Sequence, residues 1–413
     1  MSNVLVIGGG AAGMLAAIGA ARAGARVTLL ERNEKLGKKV YITGKGRCNV
    51  TNACEADAFQ RNVVKNPRFL FSALSALPPS GLMELLKSLG CPVMVERGDR
   101  VFPQSEKASD VTRAFERELN RLGVGVELNA RVRELLMDDG RCAGAALEDG
   151  RRLPADSVIV CTGGQSYPST GSTGDGFAWF RKTGHAVFPP LPSLVGLECG
   201  EGWVRQLQGL SLKNVRLTLK NGKKTLFSDV GEMLFTHFGI SGPLVLSASA
   251  YMAELVPAEV SLTLDLKPGL SEQQLDARLL RDIDASGKRK LRTLLCGLYP
   301  ASLAETMPAL CGVDADKEVN ELTREERARL VSGAKALRLP ITGMRPLGEA
   351  IVTRGGVSVK EINPATMESR KVAGLYAAGE LLDVDALTGG FNLHIAFATG
   401  LLAGRSAARK NEG

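Results

Sequence analysis

Apolar and polar positions alternate between two periods along this chain, and the switches between them mark the elements. Val4-Leu5-Val6-Ile7 is a short, fully apolar run that stops at Gly8-Gly9-Gly10. Small and apolar residues then fill 11–21, and Val27-Thr28-Leu29-Leu30 ends at Glu31. The pattern predicts a buried strand, a glycine turn, a closely packed helix and a second buried strand. Further on, 94–102 alternates around a Gly-Asp turn and predicts a hairpin. Residues 109–122 have helical periodicity with Ser109 as the expected cap, and Ser241 is the expected cap of a helix with Pro243 in its first turn. Strands are expected over 124–128, 132–137, 143–147 and 158–161, the last ending at Thr162-Gly163-Gly164.

The pattern changes at Pro189-Pro190-Leu191-Pro192, a stiff cluster suited to a domain crossover. Short alternating runs such as Val215-Arg216-Leu217-Thr218-Leu219 follow, and 271–336 is charged and helical. Strands return at 351–359 and 374–379, and 392–405 predicts a final helix. The expected fold class is α/β. Residues 1–190 and 345–413 form a discontinuous Rossmann-like domain, 191–270 with 337–344 a β-barrel-like insert, and 271–336 a helical subdomain of that insert.

The opening unit carries chemistry. Gly8, Gly10 and Gly13 have the spacing of a dinucleotide-binding turn: one allows a tight bend, one admits a pyrophosphate, one lets helix meet sheet. Gly10, Ala11, Ala12 and Gly13 open the helix, where free N–H groups attract phosphates. Glu31 closes the second strand about 20 positions later, where a carboxylate meets ribose hydroxyls. The late elements separate FAD from NAD. Ala377-Ala378-Gly379-Glu380, with Asp383 behind it, suits the ribityl chain. Gly389-Gly390-Phe391-Asn392 opens the last helix, whose N-terminus stabilises charge on a reduced flavin. Thr162-Gly163-Gly164 is a third element of that architecture. The run 171–176 is glycine-rich but lacks a preceding strand, so one dinucleotide, FAD, is expected.

Composition adds limits. The net charge of +8 on 413 residues is thinly spread, and the basic runs at 220–224 and 288–290 carry no aromatics. A small-molecule substrate is therefore expected rather than a nucleic acid. Eight scattered cysteines without metal-ligand spacing suit reduced thiols in the cytoplasm; no metal, secretory leader or membrane span is expected.

Several motifs are long enough to be distinctive: Tyr41-Ile42-Thr43-Gly44-Lys45-Gly46-Arg47-Cys48-Asn49-Val50-Thr51-Asn52, the run 167–176, the run 231–243 containing Thr236-His237-Phe238-Gly239, Thr353-Arg354-Gly355-Gly356-Val357, and 379–385. Together they resemble the bacterial YhiN/BaiN-type flavoproteins, a family described variously as NAD(P)/FAD-dependent oxidoreductases, aminoacetone-oxidase-like and bile-acid enone reductase-like. The resemblance covers nearly the whole chain and implies FAD, a Rossmann-like domain and a β-barrel-plus-helical insert. Lys45 sits where many members carry glycine.

Cofactor contacts are expected from Arg32 and Lys38 after Glu31, from Gly44, Gly46, Arg47, Cys48, Asn49, Thr51 and Asn52, from Val132, and from Gly174 and Asp175. Cys48 is read as a packed small residue rather than a redox thiol. Catalytic candidates are His237 as proton donor and Arg47 and Arg354 as anchors, with Tyr41 and Tyr167 behind them. His394 is expected to bond backbone or flavin, and His185 to lie at the surface. The activity these residues imply is hydride transfer through flavin N5, with NAD(P)H as donor and an enone-type C=C as acceptor. A flavin oxidase of a small amine or alcohol, an RNA-associated flavoprotein and a non-catalytic flavin binder are the alternatives.

Overall fold

The computed structural model describes residues 1–409. The chain divides into two compact units, one of Met1–Ser193 with the segment from Pro346 onward, the other of Leu194–Arg345.

The first unit is built on a five-stranded parallel sheet. β1 (Asn3–Ile7) lies at its centre, between β2 (Arg26–Leu30) and the strand Ser157–Val160. Gly125–Glu127 extends the sheet beyond β2, and Leu375–Ala377 extends it on the other side. Continuous burial along these strands explains why they read as uninterrupted apolar runs, since helices cover both faces of such a sheet. α1 (Ala11–Arg22) and the C-terminal helix (Phe391–Ala408) pack backbone to backbone. A Cβ on Gly400 would lie 2.1 Å from the Ala12 carbonyl oxygen, and one on Gly404 2.0 Å from that of Ala16. The small residues of both helices are thus an interface, not a weak apolar stripe.

Two expectations fail here for identifiable reasons. Ser109 does not cap its helix. The helix begins at Ala108 after an extended Lys107, and the Ser109 hydroxyl accepts a hydrogen bond from Arg113 (3.2 Å). His185 is not at the surface. It is buried between Thr183 Oγ1 (2.9 Å) and Ser369 Oγ (2.7 Å), with its ring edge-on to Phe180. Burial also lowers its pKa. Among the described residues one stretch, Pro67–Ser88, is long and apolar enough to cross a membrane. It divides at Pro78-Pro79 into the helices Phe71–Ala76 and Pro79–Ser88.

The second unit holds a seven-stranded antiparallel sheet. Its order is Leu337–Leu339, Val260–Asp265, Ser211–Asn221, Lys224–Phe235, Gly239–Ser241, Leu197–Cys199 and Ile341–Met344. The first and last strands in that order are separated in sequence only by Pro340. Two residues of chain span at most about 7 Å, so the sheet curls until its edges meet, in a barrel-like manner. Four helices follow the strand Val260–Asp265. Glu272–Ser286 and Arg324–Lys335 each start with a reciprocal capping box, Ser271/Gln274 and Thr323/Glu326. The short helix Pro243–Ser249 is entered through Gly242 (φ 97°). Ser241, expected as its cap, belongs to the preceding strand.

Candidate functional site

The site grows from the turn after β1. Gly8 adopts φ +103°, and its N–H donates to the Leu30 carbonyl (2.8 Å). A side chain there would strike the Cys161 carbonyl oxygen at 2.5 Å, and one on Gly13 would strike the Gly8 carbonyl oxygen at 1.7 Å. A Cβ on Gly10, by contrast, meets nothing within 4 Å. Gly8 and Gly13 close the turn against the sheet, whereas Gly10 borders open space at the start of α1. No side chain caps that helix, so the first-turn N–H groups have no intrahelical acceptor and suit an anion.

Glu31 is buried beside this turn. Its Oε2 accepts from the Gly9 N–H (2.7 Å), and its Oε1 from the N–H (2.8 Å) and side-chain amide (2.6 Å) of Asn33. The second carboxylate, Glu380, reaches the same region through Gly379, whose hypothetical Cβ would be 2.8 Å from that of Ala12 on α1. Glu380 Oε2 is paired with Lys39 Nζ (2.7 Å), and Oε1 accepts from the Thr353 N–H and the Ser166 hydroxyl (both 2.8 Å). Burial alone would raise its pKa. The Lys39 charge and these hydrogen bonds outweigh burial and hold the carboxyl below its ordinary value.

The start of the C-terminal helix forms another wall. Gly390 (φ 97°) precedes it, and a Cβ there would meet the Thr51 carbonyl oxygen at 2.4 Å and Asn49 Oδ1 at 2.8 Å. Asn52 Nδ2 donates to the Gly98 (3.0 Å) and Gly389 (3.3 Å) carbonyls, tying loop to helix. Two buried polar atoms of these segments, Asn49 Oδ1 beside Gly390 and Thr162 Oγ1 beside Gly176, have no protein partner, a state in which buried polar atoms are rarely left. A helix N-terminus bordered by an empty glycine position, two held carboxylates and two orphaned side-chain oxygens fit FAD.

His394 lies just inside that helix and is structural. The Leu77 carbonyl can only accept, so Nε2–H donates to it (2.9 Å), leaving Nδ1 to accept from the Thr51 hydroxyl (3.0 Å). Burial drives its pKa from 6.5 to about 4, against the Leu77 bond. An unfolded chain therefore takes up a proton there that the folded protein refuses. The stability contributed by this neutral burial is complete above about pH 6.5 and is lost as pH falls toward 4, by up to roughly 3 kcal/mol. His394→Gln is expected to flatten that acid limb in urea unfolding followed from pH 7 to 4.5.

Other expected residues sit as follows. Arg32 is held by Asp175 (2.9 Å) and Thr173 (2.6 Å), and Gly174 (φ 83°) precedes the helix Asp175–Lys182. Lys38 reaches outward to Glu34 (3.1 Å), while its neighbour Lys39 enters the site. Gly163 faces Ser172, and a Cβ on Gly164 would be 3.0 Å from Glu380 Oε1. Gly44 (φ 57°) and Gly46 (φ 87°) shape the loop, and Cys48 is fully buried, its thiol pushed up to about 12 by burial. That thiol is no redox nucleophile at neutral pH. Arg47 pairs with Glu96 and Glu106 and stacks on Phe102 at 4.2 Å. Val132 is a buried strand residue opposite Leu147, and the nearby Ala130 N–H donates to the Glu31 carbonyl (2.9 Å). The Asp383 carbonyl accepts from Asn66 (2.7 Å), and Phe391 packs edge-on against Phe59. The Asn392 amide is spent on the backbone of Ala386. Arg354 is buried against Asp385. His237 belongs to the other unit, exposed in the turn between Lys224–Phe235 and Gly239–Ser241. Lys39, Ser166 and Thr353 had no part in the sequence reading of the site. The only signal for Thr353 was its place in the Thr-Arg-Gly-Gly motif.

The profile of the HI0933-like protein Rossmann domain matches residues 2–406. The chain belongs to the HI0933-like family. It is 34% identical over 416 residues to the 3-dehydro-bile acid delta(4,6)-reductase of Clostridium scindens, covering 99% of this chain and 100% of that one. It is 30% identical to the ribosomal RNA dihydrouridine synthase of Haemophilus influenzae, covering 99% of both. Among solved structures, the 3-ketosteroid-delta4-(5alpha)-dehydrogenase of Rhodococcus jostii RHA1 aligns with a TM-score of 0.51 at 16% identity, over 99% of this chain and 97% of that one. That likeness bears on the fold alone. Family and fold together make the chain an enzyme of the FAD-dependent oxidoreductase class.

Proposed function

We propose that this enzyme reduces a carbon–carbon double bond conjugated with a carbonyl, using NAD(P)H. The observation carrying this reading is that the full-length relative at 34% identity is named as a reductase of a 3-dehydro-bile acid. In such a reaction a hydride adds to the carbon β to the carbonyl and a proton to the α carbon, while NAD(P)H is oxidised to NAD(P)+. Bound FAD would supply the two-electron hydride relay. The chain's own residues would hold that cofactor: α1 and its glycine turn the pyrophosphate, Glu31 the ribose, Glu380 the ribityl hydroxyls, and the start of the C-terminal helix the electron-rich edge of the ring.

A second reading concerns the size of the acceptor. Uracil's C5=C6 bond is also conjugated with a carbonyl, and another full-length relative is named for ribosomal RNA dihydrouridine. Arg216, Lys220 and Arg338 stand exposed on the seven-stranded sheet, with Arg338 beside Thr263 and Thr263 beside Thr218 in register. No ion pair among the described residues involves them. Such a face suits phosphodiester groups.

One anaerobic experiment tests both. NADPH and then NADH are added to the purified flavoprotein and its absorbance is followed; bleaching is expected with at least one. A steroid enone and an unmodified ribosomal RNA transcript are then offered, and reoxidation with a saturated product identifies the acceptor. Flavin that stays oxidised with both nucleotides would refute the NAD(P)H reductase reading and favour an oxidase.

A further inference from the structure

We infer that Lys39 is a positioning residue for the dinucleotide: held by Glu380, it presents its remaining N–H to the anionic part of the cofactor. This rests on the FAD reading above. Six cations lie on the loop that follows Glu31, and five of them are turned elsewhere. Arg32 is held by Asp175 and Thr173, Lys35 lies over the Tyr41 ring, Lys38 is held by Glu34, Lys45 is exposed, and Arg47 is held by Glu96 and Glu106. Lys39 alone of these turns to a carboxylate beside the glycine turn.

Valence counting gives the pair its function. An ammonium has three donors, and Lys39 uses one on Ser166 Oγ (2.6 Å) and one on Glu380 Oε2 (2.7 Å). A carboxylate has about four acceptor sites, of which Lys39, Ser166 and the Thr353 N–H take three. One donor remains on Lys39 and one acceptor on Glu380. Gly379, next to Glu380, touches the first turn of α1, and the Gly37 N–H, two residues before Lys39, donates to the Gly9 carbonyl (2.8 Å), so both residues of the pair sit on segments attached to the phosphate-binding turn. A phosphate oxygen and an adjacent hydroxyl are the complement of that donor and acceptor. FAD offers both. The lysine also cancels a buried negative charge that would otherwise repel a dianionic pyrophosphate.

The test uses flavin-stripped protein and FAD binding followed by fluorescence quenching, so turnover plays no part. Lys39→Met is expected to weaken FAD by about 10- to 100-fold, the value of one or two charge-assisted hydrogen bonds. Lys39→Arg should recover most of the affinity. The double variant Lys39→Met/Glu380→Gln should bind no worse than Lys39→Met, because the unbalanced carboxylate is gone. At saturating FAD the midpoint potential of the Lys39→Met flavin should fall, a change that mere loosening of the fold would not produce. If Lys39→Met fails to fold, the arginine and double variants carry the comparison. FAD affinity in Lys39→Met within twofold of the unaltered protein would overturn the inference. If the unaltered protein itself takes up no FAD, the cofactor reading is what fails.

Discussion

Gly10→Val is expected to fold as the unaltered protein does and to purify without flavin. The backbone at Gly10 is extended (φ −78°, ψ −167°), a conformation valine favours, and its Cβ would meet no protein atom within 4 Å. The folded apoprotein therefore loses only the modest difference between glycine and valine at a helix N-cap, about 1 kcal/mol. In a chain of this size that is a shift of no more than roughly 3 °C in Tm. The space the valine fills is where a pyrophosphate would lie against the first-turn N–H groups. Losing that approach should cost at least about 100-fold in FAD affinity. Gly13→Ala is the necessary contrast. Its methyl would sit 1.7 Å from the Gly8 carbonyl oxygen, so helix and strand must separate. Overpacking of that kind costs about 1–3 kcal/mol or more, and both stability and flavin should be lost. The comparison must be made on apoproteins, because bound FAD itself raises Tm. Absorbance and differential scanning calorimetry suffice. A yellow Gly10→Val protein would mean that the opening beside Gly10 does not receive the phosphates.

Gly10 was legible in the sequence because everything it needs is local: strand, turn and helix fall within about 20 residues. The same holds for the apolar strands of the parallel sheet and for Glu31, which neighbours the turn through the pairing of β1 with β2. What could not be read was assembled from far apart. Lys39 meets Glu380 across 341 positions and Ser166 across 127, and no periodicity in either segment marks the partner. Lys38 and Lys39 are indistinguishable by composition, and only the path of the loop decides which turns inward. Burial of His185 depends on Ser369, 184 residues away. The caps failed for a different reason. Ser109 and Ser241 have the right chemistry, but an extended Lys107 and a glycine with φ 97° set the helix starts instead. His237 is exposed in a tight turn of the second unit, while Arg354 is spent on Asp385.

Asp385→Ala is expected to destabilise the first unit by about 3–5 kcal/mol, the cost of leaving a buried guanidinium unpaired. Arg354 Nη2 lies 2.9 and 3.2 Å from the Asp385 oxygens, and Nε lies 3.1 Å from Oδ1; both side chains are almost wholly shielded from water. The Ser193 hydroxyl adds a third donor at 2.7 Å, and the Asp385 carbonyl accepts from the N–H groups of Val64 (2.8 Å) and Lys65 (3.2 Å). The pair thus ties the strand Val352–Val357 to the 383–386 turn and to the end of the strand Val187–Ser193. A two-unit chain need not unfold in one step. The protein has two tryptophans, Trp179 in the first unit and Trp203 in the second, so a Trp203→Phe background lets Trp179 fluorescence report on the first unit alone. In that background the double variant Asp385→Ala/Arg354→Leu should recover a large part of the loss, because it removes the stranded charge rather than the interaction. The outcome separates two roles for Arg354. If the arginine chiefly gripped an anionic substrate, Arg354→Leu would abolish turnover while barely moving the urea midpoint, and the double variant would recover nothing. If it is chiefly the partner of Asp385, the singles lose stability, the double regains it, and FAD affinity follows the fold rather than the charge.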